Sequence, residues 1–210
     1  MAFNFSHKYR FPIEISVSPG KESEVTTCAK VLGVMVSNDL KWTQNTAYIT
    51  DKARQRLWIL RKLDKLGLSK DFILDVYTKE IRSLLEYSVP VWNGALTLAD
   101  SLKIEKIQKI VLKLLLKDNY FSYTEACKNF KLEKLHERRV KLCLNFSKKE
   151  FKKPNGIFKK YKSVKPKRQG KRRILVEEPT TRTVRYAKSS IPYLSKLLNA
   201  EANKDHTRNV

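Results

Sequence analysis

Two amphipathic stretches joined at a single glycine constrain the fold of this chain more than any other feature. In residues 43–66, apolar side chains recur at three- and four-residue spacing, which is typical of a helix with one buried face. We expect Gly67 to adopt the left-handed conformation that ends this helix, and we expect Ser69 to be the N-cap of the next one. We expect Asp39 or Thr43 to cap the first helix, and we expect the second to end before Pro90, because proline disfavours helical backbone in the preceding residue.

Three further helices are predicted downstream. Thr97 or Asp100 is expected to start one whose apolar face is broad enough to be mostly surrounded by other helices. The spacing of Ser122 and Glu125 fits a capping box at the start of a short helix. A long helix is expected over about residues 132–151.

The ends of the chain have a different composition. Residues 11–17 alternate in polarity and residues 25–36 are rich in β-branched side chains, so the two runs predict a β-hairpin. Apolar residues are sparse over much of 153–185, which also contains three prolines and two glycines and predicts a flexible segment. Residues 190–198 are apolar again and predict a short helix that docks back, with Ser190 as its cap.

The predicted fold class is therefore mainly α: a helical bundle with a small N-terminal β-hairpin and a basic, largely disordered C-terminal segment. The expected divisions are 1–37 for the hairpin, 38–152 for the helical domain, 153–189 for the flexible basic segment, and 190–210 for the terminal helix and tail.

Net charge is the feature of the sequence that most strongly indicates a class of binding partner. Lys and Arg outnumber Asp and Glu by 44 to 21 among the 210 residues, which gives a net charge of +23. Residues 131–173 hold 18 Lys or Arg and 3 Glu, a net charge of +15. Such a field attracts nucleic acid, an anionic membrane surface or an acidic protein, and net charge does not distinguish among them.

No catalytic, metal-binding or cofactor-binding motif is found. The chain lacks a phosphate-binding loop, the GxGxxG and HExxH patterns, and an adjacent Asp-Asp pair. Its three cysteines form no CxxC pair, which favours a reduced intracellular setting, nucleus or cytoplasm. No run is apolar enough for a transmembrane segment. We expect no enzyme activity from this chain.

The candidate nucleic-acid-binding residues are cations in three groups. They are Lys52, Arg54, Arg56, Arg61, Lys62 and Lys65 on the first helix, Arg138 and Arg139 on the last long helix, and Lys167, Arg168, Lys171, Arg172 and Arg173 in the basic segment. Trp58 lies among the first group, and Tyr120, Phe121 and Tyr123 lie close to Lys117 and Lys128. Aromatic residues interleaved with cations suit single-stranded or irregular nucleic acid. Trp58, Phe72 and Trp92 also occupy helical positions that are typical of a core.

Several ordered motifs resemble the end of a non-LTR (LINE-type) retrotransposon reverse transcriptase. They cover nearly the whole chain, and their order and spacing are more specific than any one of them. The motifs are Val31-Leu-Gly-Val-Met-Val-Ser-Asn-Asp-Leu-Lys-Trp42, Ala53-Arg-Gln-Arg-Leu-Trp-Ile-Leu-Arg-Lys-Leu63, Tyr77-x-x-x-Ile81-Arg82, Leu85-Glu86-Tyr87-x-x-Pro90-x-Trp92, Ile104-Glu-x-Ile-Gln-Lys109, Leu132-x-x-Leu-x-x-Arg-Arg139 with Leu142-Cys143, and Ser190-Ile-Pro-Tyr193.

The resemblance implies that the N-terminal hairpin ends a polymerase palm and that Trp42 onward is a thumb-like helical region gripping template and growing strand. The catalytic Asp-Asp pair of that RNA-directed DNA polymerase family would lie upstream, so a truncated fragment without polymerase activity is expected. Its implied partners are RNA or an RNA–DNA duplex, bound without base specificity, and an intact polymerase.

Three alternatives remain open. The chain could be a basic helical interaction module for acidic proteins or anionic lipid. Residues 53–81 also resemble the N-terminal segment of an AlkB-type dioxygenase, although the iron-binding His and Asp motif of that enzyme is not found. Finally, a fragment with no function could fold poorly and leave Ile13 and Ile15 exposed.

Overall fold

Helices account for most of the residues that the computed structural model describes, which are 26–169 and 172–207. The longer helices are α1 (Thr43–Lys65), α5 (Leu98–Leu116), α7 (Leu135–Lys152) and α9 (Ser190–Thr207). The shorter ones are α2 (Lys70–Val76), α3 (Ser83–Glu86), α4 (Val89–Trp92), α6 (Tyr123–Asn129) and α8 (Val184–Ala187). A π-helical turn, Tyr77–Arg82, joins α2 to α3. Two antiparallel hairpins pair β1 (Cys28–Val31) with β2 (Val34–Ser37) and β3 (Lys162–Gln169) with β4 (Arg172–Val176).

The turn between α1 and α2 confirms the predicted glycine and serine roles. Gly67 has a φ of +74°. Its N–H donates to Asp64 O at 3.1 Å, and the N–H of Leu68 donates to Leu63 O at 3.2 Å, which is the Schellman arrangement. The Ser69 hydroxyl accepts from the N–H of Phe72 at 3.3 Å and caps α2. The second helical stretch ends at Glu86, before Pro90, as expected.

The predicted cap of α1 is wrong, because the two candidate side chains have other partners. Trp42 occupies the cap position without a side-chain hydrogen bond. Asp39 accepts from Ser37 Oγ and from the N–H of Lys41, which shape the turn from β2 into α1 and lower the pKa of its carboxyl to about 2. The Thr43 hydroxyl donates to Asp100 Oδ2 of α5 at 3.0 Å.

Helices α1 and α5 pack side by side and form the centre of the core. The Thr43–Asp100 hydrogen bond joins their first turns, and a 3.1 Å ion pair between Lys117 and Asp64 joins their ends, so the two helices run parallel. The apolar face of α1 is fully buried; it consists of Ile49, Ala53, Leu57 and Leu60. Helix α5 also contacts α6 and α7, which agrees with its broad apolar face.

The caps of the later helices follow the sequence. Thr97 accepts from the N–H of Asp100 and starts α5, and Ser122 accepts from the N–H of Glu125 and starts α6. Helix α7 begins three residues later than predicted. The reason is that Lys131 takes a φ of +52° and the N–H of Leu132 donates to Cys127 O, which closes the end of α6.

The N-terminal hairpin lies within the second of the two predicted strand runs. Leu32 and Gly33 both have positive φ, as a tight two-residue hairpin turn requires. Val34 is buried, and the N–H of Met35 donates to Asn45 Oδ1 of α1 at 3.1 Å. The other run, residues 11–17 with Ile13 and Ile15, lies outside the described residues.

The prediction of a flexible basic segment needs correction where this segment joins the core. Phe158 and Val176 are fully buried, and β3 pairs with β4. Asn199 of α9 binds the end of β4: its Oδ1 accepts from the N–H groups of Leu175 and Val176, and its Nδ2 donates to Val176 O. Composition missed this attachment because one amide and a few apolar side chains carry it.

The C-terminal helix docks back on the bundle as predicted, and it is longer than expected. Ser190 does not cap it; its hydroxyl donates to Pro90 O at 2.8 Å. Tyr193 accepts from Asn93 Nδ2 at 2.9 Å and packs directly against Gly94, where a Cβ would lie 2.5 Å from the ring. Helix α9 therefore seals the side of the bundle that α4 and α7 form.

Candidate nucleic-acid interface

One outer face of α1 carries a row of cations around an exposed tryptophan. We call Arg54, Trp58, Arg61, Lys62 and Lys65 the α1 stripe. Their spacing of four, three, one and three residues keeps them on adjacent turns of one side. Trp58 is 56% exposed, so the core position expected for it is wrong, whereas Trp92 is fully buried as expected. An exposed indole lacks the favourable free energy that burial of such a large apolar side chain usually contributes.

The stripe has few internal counter-charges. Arg54 pairs with Asp51 at 2.8 Å, but both side chains are about half exposed, and such pairs contribute little. Arg61 and Lys65 form no ion pair with any residue of the described ranges 26–169 and 172–207. The Lys62 ammonium lies 5.4 Å from the centre of the Trp58 ring, within cation–π range. The stripe therefore offers both positive charge and an aromatic face to solvent.

The other two predicted cations of α1 lie on a different flank. Lys52 lies 4.7 Å from the centre of the Tyr48 ring, and Lys30 of β1 lies 5.3 Å from it. Hydrogen bonds from Lys30 and Lys52 lower the pKa of Tyr48. Arg56 contacts Glu80 of the π-helical turn at 3.4 Å. Both cations remain partly exposed, but they do not join the α1 stripe.

Arg139 was predicted to bind nucleic acid, and the structure contradicts this. Its side chain is 1% exposed. Nε donates to Asn93 Oδ1 at 3.1 Å, Nη2 donates to Ser101 Oγ at 2.7 Å, and Nη1 lies 3.9 Å from Glu105 Oε2. Burial lowers the pKa of the guanidinium, and the Glu105 charge opposes that shift. A phosphate cannot reach this group.

Arg138 is also held within the fold. It pairs with Glu86 of α3 and lies 3.6 Å from Glu133, and its side chain is 28% exposed. The hydrogen bond to Glu86 raises the pKa of Arg138. The two adjacent arginines therefore fasten α7 to α3, to the turn that follows α4 and to α5, and neither is a free phosphate contact.

A buried carboxylate of α5 explains why α7 lies where it does. Glu105 accepts from the N–H groups of Leu135 and His136 at 2.9 and 3.1 Å, which caps the N-terminus of α7 from another helix. Tyr123 donates its hydroxyl to the same carboxylate. Gln108, one turn further along α5, donates to Tyr123 and accepts from the Tyr77 hydroxyl at 2.7 Å. This polar network fixes α5, α6 and α7 together.

The basic hairpin holds most of the third predicted group. Lys167 and Arg168 lie on β3, opposite Ile174 and Arg173 respectively, and Arg172 begins β4. Lys171 lies outside the described residues. Four predicted cations thus lie within two paired strands, at a place that sequence alone assigned to a flexible chain.

A second cationic surface lies between α5 and the segment that leads into α6, and sequence analysis singled out its aromatic residues but not its lysines. Lys106, Lys109 and Lys113 occupy the exposed side of α5 and line a cleft of about 440 Å³. We call this the α5–α6 cleft. Its other wall is aromatic, made of Tyr120, Phe121 and Tyr123. The sequence does contain a signal for this surface, since the lysines are spaced by three and four residues opposite the apolar face. The breadth of that apolar face, however, predicts a helix that is mostly buried.

Known proteins give no guide to the role of these surfaces. Comparisons with protein-family models, with curated proteins and with solved structures each return no match. Among the described residues, no helix combines the length and apolar character needed to cross a bilayer. Within the same ranges, no group of His, Cys, Asp and Glu side chains is arranged to hold a metal ion.

Proposed function

We propose that this protein binds RNA or an RNA–DNA duplex without base specificity and that the α1 stripe is its main contact surface. The observation that carries the proposal is the exposed Trp58 within a row of cations, of which Arg61 and Lys65 form no ion pair with another described residue. Cations neutralise phosphates and release counterions, and an aromatic face stacks on an unpaired or terminal base. A solvated helix face needs the lysines but not the indole.

The intrinsic fluorescence of Trp58 provides a direct test. Stacking of a base on the exposed indole should quench emission when a single-stranded RNA is added, and Trp58→Ala should remove that quenching. Loss of one stacked base should weaken binding by about 5- to 150-fold. Quenching that persists in Trp58→Ala, with unchanged affinity, would contradict the proposal.

We further propose that the chain is the thumb-like part of a LINE-type reverse transcriptase, with no nucleotide addition of its own. Residues that carry the resemblance contact one another, both within one motif and between two motifs, which supports treating them as one pattern. Glu86 pairs with Arg138, and the Trp92 indole donates to Tyr87 O at 2.9 Å. The transcript upstream of Met1 tests this relationship. An open frame encoding an Asp-Asp pair is expected, and a frame encoding an unrelated domain would count against it.

Anionic lipid is the second candidate, because a specific apolar patch adjoins the stripe. Leu66, Leu68 and Phe72 are exposed at the turn between α1 and α2, close in sequence to Lys65 and Lys70. Exposed apolar residues flanked by lysines are typical of surfaces that lie in a membrane interface. Phe72→Ala separates the two candidates, since it should weaken binding to anionic vesicles and leave RNA binding unchanged.

A further inference from the structure

We propose that the α5–α6 cleft is a second nucleic-acid site, which accepts a single-stranded segment with one base stacked on Phe121. This inference rests on the proposed nucleic-acid binding and assigns it a strand-selective subsite away from the α1 stripe. It follows from charge, exposure and rigidity at the cleft.

Charge complementarity identifies the class of ligand. Lys106, Lys109 and Lys113 form no ion pair with another described residue, and no acidic side chain from the described part of the chain lines the cleft. Seven residues of helix separate the first lysine from the last, which is about 10 Å along the axis. A row of ammonium groups on one side of a groove follows a phosphate backbone in the way that single-strand-binding grooves do.

The aromatic wall gives the preference for an unpaired base. Phe121 is 79% exposed and makes little contact with the core, so its ring is available for stacking. A duplex keeps its bases stacked on one another, whereas a single strand has free base faces. Because base–aromatic stacking is tolerant of sequence, the site would accept any base.

The cleft is held in shape before ligand arrives. The hydroxyl of Tyr123 is fixed by Glu105 and Gln108, and burial together with the hydrogen bond to Glu105 raises its pKa. Lys109 lies 5.1 Å from the centre of the Tyr123 ring, and Lys113 lies 5.3 Å from that of Tyr120. These contacts orient two of the lysines along the groove, so little ordering is required on binding.

Phe121→Ala in the full chain tests the inference, with Leu98→Ala as its matched control. Leu98 is 77% exposed on the same helix as the lysines and lies outside the cleft. The probes are a single-stranded oligoribonucleotide of about 12 nucleotides with one 2-aminopurine, and a blunt RNA duplex of about the same length. Circular dichroism melts should show both variants folded, because both side chains are exposed.

We expect Phe121→Ala to weaken single-strand binding by about 5- to 150-fold, to remove the stacking quench of 2-aminopurine, and to leave duplex binding within about twofold. Lys109→Ala should lower the salt slope for the single strand by about 0.7. Equal affinities of Phe121→Ala and Leu98→Ala for the single strand would overturn the inference and leave the α1 stripe intact as a site. If an equal charge of poly-glutamate removed the Phe121-dependent quench of 2-aminopurine, this would also overturn the inference and assign the cleft to acidic peptides. A wild-type chain that binds neither probe would reject the proposed function itself.

Discussion

Arg61 and Arg139 carry the same group in opposite surroundings. Arg61 is exposed on the α1 stripe with no ion-pair partner among the described residues, whereas Arg139 is buried against Asn93, Ser101 and Glu105. Counting cations along the sequence treats the two as equivalent. Their different burial predicts that one acts in binding and the other in stability.

Substitution of each arginine by alanine should therefore give opposite results. Arg139→Ala leaves buried polar partners uncompensated and should lower the free energy of unfolding by about 3–5 kcal/mol. Arg61→Ala should change stability by less than about 0.5 kcal/mol and lower the salt slope of RNA binding by about 0.7 to 0.9. Urea unfolding and filter binding measure both quantities. An Arg139→Ala variant of wild-type stability would contradict the structural role.

The Asp100 carboxyl group should make the stability of the fold depend on pH in the acid range. It is 2% exposed; burial by itself would raise the pKa of its carboxyl, but hydrogen bonds from Thr97, Lys103 and Thr43 bring the pKa below its usual value. Since the folded pKa is lower than the unfolded one, the carboxylate stabilises the fold above about pH 4, and this contribution is lost as the pH falls through the folded pKa.

Asp100→Asn removes that titration. The difference in unfolding free energy between the wild type and Asp100→Asn should be largest near neutral pH and should shrink as the pH falls below about 4. Urea titrations at a series of pH values measure it. A difference that stays constant with pH would show that the carboxylate charge does not contribute.

Residues whose roles depend on their immediate neighbours were predictable from sequence. At the α1–α2 turn these residues are Gly67 and Ser69, and at the starts of α5 and α6 they are Thr97 and Ser122. Each of these roles needs only three or four adjacent residues. Thr43 and Arg139 were mispredicted because their partners, Asp100 and Glu105, lie far along the chain. Sequence showed that Trp58 stands among cations, but only the packing of α1 on α5 shows that the indole is exposed.

Among the elements, the basic hairpin of β3 and β4 is attached to α9 by one side-chain amide. Asn199 satisfies the N–H groups of Leu175 and Val176 and the carbonyl of Val176. Val176 is fully buried, so its N–H and carbonyl have no access to water. Sequence analysis predicted a helix at the position of α9 but no strand at β4, and it could not reveal a side-chain link between them.

Asn199→Ala should release this link. Leaving the Val176 N–H and carbonyl unsatisfied should cost about 1–3 kcal/mol, and amide exchange should accelerate at Leu175 and Val176 before it does in α1. Asn203, one turn later on the same helix, donates to Asn199 O and provides the matched control as Asn203→Ala. Unchanged exchange at Val176 in Asn199→Ala would contradict the proposed attachment.

In the molecule as a whole, the cations lie on two parts, the helical bundle and the basic hairpin. The two parts share one hydrophobic core. Phe158 and Val176 are buried with the helices, although they belong to the segment that composition marks as flexible. The basic segment therefore contributes both charge and packing. A deletion would remove both at once, so substitution is the cleaner way to separate them.

Replacing Lys167, Arg168, Arg172 and Arg173 by glutamine should weaken RNA binding while keeping the melting temperature close to that of the wild type. Deleting residues 153–173 should lower the melting temperature as well, because it removes Phe158 from the core. Thermal melts and filter binding on both variants measure the two effects. A deletion variant that melts like the wild type would show that the hairpin is not part of the core.

The salt dependence of RNA binding tests the central claim most directly. If the protein contacts about 6 to 10 phosphates, its affinity should fall about 10³- to 10⁵-fold between about 50 and 200 mM salt. Replacing Arg61, Lys62 and Lys65 together should make that dependence clearly shallower. An affinity that does not change with salt, or a slope that the triple substitution leaves unaltered, would contradict nucleic-acid binding through the α1 stripe.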